Sequence, residues 1–278
     1  GKVDYATINS TLVDKYKGKD TFTTFNEGFL FYLQVNFNNK TTANKNVREA
    51  LSYAINRKDL CENVLKDGSK EATGFVPSQL STSPAGKDFR DTAGALVGYD
   101  VKKAQEYLDA AKKELGTDTI TIDLLYGTDE SPMDTMAEYL QGSFTKLKGL
   151  KVNMVATVKK DRIYNREANG NFQVVCTRWG PDYADPTTYL NLFLTGNQNN
   201  YGKYSNAKVD SLMKQVQAES DLNKRWDLMT QVEKTALDDL AYVPVFEKGA
   251  AALKAKNVKG LVYSPTGTPY TFKYVTIK

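Results

Sequence analysis

Between Asp100 and Thr177 the chain alternates helix and strand patterns in an order that few folds accept. VKKAQEYLDAAKKEL repeats Val101, Ala104, Leu108, Ala111 and Leu115 at helical spacing, with Asp100 placed to cap it and Gly116 to end it. TITIDLLY then reads as a strand. Ser131 and Pro132 open a helix bearing Met133, Met136, Ala137, Leu140, Phe144 and Leu147, with proline expected at the first helical position. KVNMVATV is a second strand, a short helix is expected over 163–168, and FQVVCT is a third strand. This alternation predicts two βαβ crossovers and a partly parallel sheet, hence an α/β fold.

The flanking segments are less regular. In FLFYLQVNF, Phe29, Phe31, Leu33, Val35 and Phe37 alternate as in a strand with one apolar face, and Tyr32 suggests partial cover on the other. NKNVREALSYAINRKDLCENVLKDG predicts a helix capped by Asn46, with Glu49 at its third position, a break near Asn56 and a stop at Gly68. Residues 69–99 are polar and broken by Pro77, Pro84, Gly86 and Gly98, and are expected to form a surface excursion bordering a site or another domain. Further on, Asn206 caps a helix carrying Val209, Leu212, Met213 and Val216. A second helix over 222–240 turns Trp226, Met229, Val232 and Leu237 inward, and YVPVF is a short strand. The two ends are strand-rich and the middle is a coherent α/β unit. That suits a domain inserted into another: 1–35 and 244–278 as parts of one body, 36–243 as the other, joined by two crossing strands.

The 278 residues include no histidine, which removes Ser-His-Asp and Cys-His nucleophiles, histidine-ligated zinc and histidine proton shuttles. Lysine or paired carboxylates are the chemistry left, so an enzyme is disfavoured. Cys61 and Cys176 cannot build a thiolate metal site. They read as small buried hydrophobes, with a disulfide or a reactive thiol as alternatives. No Gly-rich phosphate loop, HExxH or metal-ligand spacing is present. Lys+Arg 37 against Asp+Glu 33 gives a net charge of +4, spread along the chain, which calls for no nucleic acid. No apolar run approaches 18 residues, and the sequence starts without a leader, as a mature product or a fragment also would.

The stretch Trp179 to Pro186 leaves the carboxyl end of the third strand, where open α/β sheets bind ligands. It carries an indole (Trp179), carboxylates (Asp182, Asp185), a phenol (Tyr183) and two prolines. A carboxylate beside an aromatic face suits a primary ammonium, through a charge-assisted hydrogen bond and a cation–π contact. Equally, Asp182 and Asp185 could cap the turn and the next helix, Asp185 the more readily, while Trp179 and Tyr183 pack. A glycosidase-like carboxylate pair is a third reading. Arg48 and Arg57 are expected to be solvated or salt-bridged, and Asp210 to complement a helix N-terminus. Tyr201 and Tyr204 could line a cleft.

NVREALSYAINRKDL, YDVKKAQEYLDAA, RWGPDYADPTTYLNLF and NNYGKYSNAKVDSLMKQ, with DLAYVPVF, together resemble the C-terminal half of an extracytoplasmic solute-binding protein. The class is the peptide/nickel class of ABC importers, and the likeness is to the oligopeptide-binding proteins of Gram-positive bacteria. The resemblance implies a periplasmic-binding-protein-like (type II) two-lobed α/β fold. This chain would hold the complete second lobe and the C-terminal parts of the first, with 27–38 and 240–248 crossing the hinge. It implies an oligopeptide ligand whose amino terminus pairs with Asp182, and a pocket shared by Trp179, Gly180, Tyr183, Tyr201 and Cys176. No catalytic residue, cofactor or metal is expected. The implied partner is a membrane permease; the protein would be a monomer without nucleic acid, extracytoplasmic and lipid-anchored to the outer face of the cell membrane in its full-length form. Cys176 departs from the small or basic residues usual in that strand. Asp182 favours peptides over nickel; a glycan, a metal chelate or a signalling peptide are the rival ligands.

Overall fold

The expected alternation forms the parallel part of one seven-stranded sheet in a computed structural model, which describes residues 2–278. The elements run β1 (Tyr5–Ile8), α1 (Ser10–Tyr16), β2 (Phe22–Val35), α2 (Lys40–Ala43), α3 (Lys45–Ala54), α4 (Arg57–Asp59), β3 (Lys70–Glu71) and α5 (Phe89–Ala93). Next come α6 (Val101–Leu115), β4 (Ile120–Gly127), α7 (Met133–Phe144), β5 (Leu150–Thr157), α8 (Lys159–Asp161) and β6 (Val174–Trp179). The remainder is α9 (Thr187–Leu190), α10 (Ala207–Ala218), α11 (Leu222–Asp238), β7 (Tyr242–Lys254) and four two-residue strands, β8 to β11, at 258–259, 262–263, 270–271 and 276–277. Strand order is β1-β7-β2-β6-β4-β5, with β3 also on β7. β4 lies parallel to both β5 and β6, as two crossovers require, while β2 is antiparallel to β6 and β7.

Helices cover both faces of this sheet, so its strands are apolar on both sides. One face packs Phe31, Leu33, Val35, Val174, Cys176, Val243 and Val245 against α3, α6 and α7. The other packs Leu30, Tyr32 and Tyr242 against α9, α10, α11 and the 72–80 segment. Leu30 to Val35 are therefore buried at every position, where alternation alone suggested one apolar face. β2 and β7 are much longer than their apolar cores. Beyond the covered region they continue as a ribbon, Asn26 opposite Gly249 and Phe22 opposite Leu253, with β1 added on the outer edge. Their register shifts between Asn26 and Leu30. An aromatic cluster of Tyr5, Phe25, Tyr263, Tyr270 and Phe272 packs over this extension.

Several local expectations need correction. Asn44, not Asn46, caps α3, accepting from Val47 N at 3.2 Å; Asn46 lies inside the helix and donates to Glu114. Glu49 accordingly falls beyond the capping position. The break at Asn56 is real, since its side chain caps α4, but the π-helical turn after it (Leu60–Leu65) ends at Lys66 in the left-handed region (φ 49°). Pro132 occupies the cap position before α7 rather than the first helical one. Asp100, Asn206 and Asp221 cap α6, α10 and α11.

Residues 69–99 are a surface excursion only in part: 81–88 and 91–99 stay exposed or half-buried, but much of the rest does not. β3 joins the sheet, and Ala72, Phe75, Val76, Leu80 and Phe89 are buried. The polar character misled because its key charge is neutralised inside: Arg90 pairs with Glu233 of α11 at 2.6 and 2.7 Å, and Glu233 also accepts from Phe75 N and Val76 N. Arg48 and Arg57 are likewise buried rather than solvated. Arg48 donates to the carbonyls of Thr42, Ala43 and Asp239, and Arg57 to those of Pro244, Ser52 and Gly98. Burial lowers the Arg57 pKa to about 10. Both cysteines are free and buried, which raises both thiols above their usual range. Among the described residues no His/Cys/Asp/Glu group could hold a metal, and no helix is long and apolar enough to cross a membrane.

Candidate functional site

A cavity of about 260 Å³ opens at the carboxyl ends of the parallel strands. Its lining draws Phe29, Tyr32 and Gln34 from β2, Thr177, Arg178 and Trp179 from the end of β6, and Asn199 and Tyr201 from the loop before α10. Glu130 comes from the turn after β4, and Lys159, Arg162, Ile163 and Glu167 from the α8 region after β5. Each of the three parallel strands thus contributes at its carboxyl end or from the connection leaving it, as the geometry of open α/β sheets prescribes. A wider trough at the end of α6, lined by Asp109, Lys112, Lys113 and Asp118, is open to solvent and shares none of these residues.

The floor of the cavity is an ion cluster. Arg162, only 2% exposed, donates to Glu130 Oε2 through Nε (3.1 Å) and Nη2 (2.7 Å), and through Nη1 to Thr177 Oγ1 (2.9 Å) and to Glu167. Burial raises the Glu167 pKa to about 7; Arg162 opposes that rise and the second carboxylate, Glu130, reinforces it. Two buried oxygens of this cluster have no hydrogen-bond partner among the described residues, Glu130 Oε1 and Gln34 Oε1. Lys159 Nζ lies 3.5 Å and Arg178 Nε 3.8 Å from that Glu130 oxygen. Arg178 stacks over the Phe29 ring at 4.7 Å.

The turn after β6 comes next in the chain. Trp179 lines the cavity and donates from Nε1 to Thr188 O at 3.0 Å, while Asp182 N donates to Thr188 Oγ1 at 2.9 Å. The Asp182 carboxylate is exposed and has no partner among the described residues. Gly180 lets the turn pass against β2: a Cβ there would sit 2.3 Å from the Phe29 ring. Asp185 has the capping role, accepting from Thr187 N at 2.9 Å and pairing with Arg225 at 2.7 Å. Burial works against its ionisation, but the Arg225 and Thr187 hydrogen bonds outweigh it and hold the carboxyl below its usual range.

Of the residues expected at the site, Trp179 and Tyr201 line the cavity, while Gly180 and Asp182 lie in the turn that follows Trp179, outside the lining. Tyr183 is 45% exposed, with its phenol oxygen accepting from Asn191 at 3.2 Å, and lies outside the lining. Cys176 does not belong to the site. Strand alternation turns it to the opposite face, where it is wholly buried in the core behind Thr177. Tyr204 is also a core residue, bonded to Asp239. Sequence reasoning missed Glu130, Lys159, Arg162, Glu167 and Arg178. The rule that selected Trp179 could have found them, since each stands at or beyond the end of a parallel strand.

A sheet covered on both faces, with a cavity at the carboxyl ends of its parallel strands, places this chain among open-sheet α/β proteins. The family model described as bacterial extracellular solute-binding proteins, family 5 Middle, matches residues 1–201, and the chain belongs to that family. The dipeptide-binding protein of Lactococcus lactis subsp. cremoris is 32% identical over 292 residues, covering 100% of this chain and 53% of that protein. The dipeptide-binding protein DppE of Bacillus subtilis is 30% identical, covering 96% of this chain and 49% of its own length. The substrate-binding domain of an oligopeptide ABC transporter from Bacillus anthracis superposes with a TM-score of 0.86 at 31% identity, over 100% of this chain and 55% of its own. The OppA protein of Listeria monocytogenes, solved bound to peptide, gives 0.83 at 32%, over 100% and 54%. The fold is the type II solute-binding fold, and the chain spans about half the length of the relatives it matches.

Proposed function

We propose that this chain is the ligand-gripping part of an extracytoplasmic receptor that binds oligopeptides and delivers them to the permease of an ABC importer. The observation that carries this reading is the Asp182 carboxylate: exposed, without a partner among the described residues, and carried by the turn that leaves Trp179, which itself lines a half-open cavity. A peptide ammonium bonded there gains a charge-assisted hydrogen bond, and the ligand main chain then lies across the mouth of the cavity. The names of the Lactococcus and Bacillus relatives support peptides over a glycan or a metal chelate.

The reading has no catalytic step. Glu130 and Glu167 are both engaged by Arg162, and Asp185 by Arg225 and Thr187, so these carboxylates are not free to act as a hydrolytic pair. We place the division between lobes where β2 and β7 change register, at 26–30 and 247–249, rather than at 35 and 243, because Leu30–Val35 and Tyr242–Phe246 are core strands of the α/β body. In this reading the full-length protein is a lipid-anchored monomer on the outer face of a Gram-positive cell membrane.

Calorimetry on the full-length protein tests the anchor. Tetraalanine should bind roughly 10- to 100-fold more tightly than its N-acetylated copy, the range that a hydrogen bond to a charged group supports. Asp182→Asn should erase most of that difference. Equal affinity of the two peptides for the unmodified protein would sink the amine anchor, and turnover of the peptide would support an enzyme instead.

A further inference from the structure

The cavity is not electrically balanced by its own residues. Arg162, Arg178 and Lys159 face Glu130 and Glu167, three cations against two carboxylates. Arg162 is spent: its guanidinium donates to both carboxylates and to Thr177. Arg178 and Lys159 are not. Among the described residues the Arg178 guanidinium makes no hydrogen bond, its nearest carboxylate oxygen being Glu130 Oε1 at 3.8 Å. Lys159 reaches that same oxygen only at 3.5 Å. Arg178 is nonetheless held in place, stacked on Phe29 at 4.7 Å and one-third exposed, so its planar fork is ordered and its donors are vacant. Lys159 is about half exposed. Two cations with unmade donors thus line one half-open cavity, placed to receive an anion.

We propose that this cavity is a subsite for an acidic side chain of the bound peptide, its carboxylate bridging Arg178 and Lys159. The inference rests on the peptide reading above. A side chain is favoured over the peptide's carboxyl end because every lining residue but Phe29, at the division between lobes, belongs to the α/β body, whereas a main chain gripped between two lobes meets this body along one flank only. A carboxylate there brings the cluster to neutrality. The guanidinium then makes the paired hydrogen bonds its geometry suits. The Glu130 carboxylate competes only through Oε1, which lies 3.5 Å from Lys159 and 3.8 Å from Arg178 and makes no hydrogen bond to either, its other oxygen being held by Arg162.

The test uses the full-length protein, tetraalanine, its four single-Glu variants, the four matching Gln variants, and C-amidated tetraalanine, all measured by calorimetry. At one position the Glu peptide should bind about tenfold or more tightly than its Gln partner, a difference of about 1.4 kcal/mol. In Arg178→Met and Lys159→Met that ratio should fall toward one, while Arg178→Lys retains part of it. The ratio within each variant is the readout, and circular dichroism confirms that each is folded. Glu and Gln peptides binding alike at all four positions would overturn the proposal. So would a preference that survives both Met variants, or an effect of C-amidation with none of Glu against Gln. If tetraalanine binds and acetylation weakens it, those failures fall on the subsite alone. If tetraalanine does not bind, the peptide reading fails and takes the subsite with it.

Discussion

At the scale of single residues, Glu167 shows how burial and pairing compete. It shares Arg162 with Glu130, and Tyr201, Tyr32, Tyr242, Lys159 and Thr177 surround the same cluster. Burial raises the pKa of Glu167 to about 7 from an ordinary value of 4.5, and the one guanidinium it shares with Glu130 opposes that rise only in part. A carboxyl raised on folding stabilises the native state fully below its unfolded pKa and loses that contribution as pH climbs through the folded one. Between about pH 4.5 and 7 this group should therefore withdraw on the order of 3 kcal/mol. Glu167→Gln should remove that slope: denaturant midpoints across pH 4 to 8 should converge at the acid end and favour the variant above pH 7. Parallel curves for the two proteins would refute the assignment.

At the scale of elements, the 69–99 segment and α11 are joined by one charge pair. Glu233 is fully buried; among the described residues Arg90 supplies its one paired cation, and two backbone amides complete its shell. Arg90→Ala leaves that carboxylate unpaired and should cost about 3–5 kcal/mol, measured as a lower urea midpoint; a loss below about 1 kcal/mol would mean water replaces the guanidinium. This element also marks the limit of what was legible in sequence. The 100–177 crossovers could be read because hydrophobic period and end-capping residues agree there, as at Asp100 and Gly116. The 69–99 segment could not, because its burial depends on a partner 143 residues away. The site divides similarly. Trp179, and Asp182 as the anchor proposed beside it, are near neighbours in the chain and could be found as a motif. Glu130, Arg162 and Arg178 come together only when three strands pair, and strand alternation, not residue type, decides that Thr177 meets the cavity and Cys176 the core.

At the scale of the molecule, the long ribbon of β2 and β7 connects the α/β body to the aromatic terminal extension, with Gly28 inside the register shift between Asn26 and Leu30. Gly28 has φ +81°, and a Cβ there would lie 1.8 Å from Pro265 O, so the turn both needs glycine and touches the C-terminal segment. If this is the hinge, small-angle scattering of the full-length protein should show a smaller radius of gyration with tetraalanine than without, and Gly28→Ala should blunt that contraction. An unchanged radius in the unmodified protein would rule out closure. The ribbon has one more consequence. Asn26 lies opposite Gly249 and Leu30 opposite Glu247, so the chain enters and leaves the α/β body through neighbouring, hydrogen-bonded positions. The whole body is therefore one continuous stretch of chain whose two ends adjoin, the condition a unit must meet to sit as an insertion within another without stretching its host.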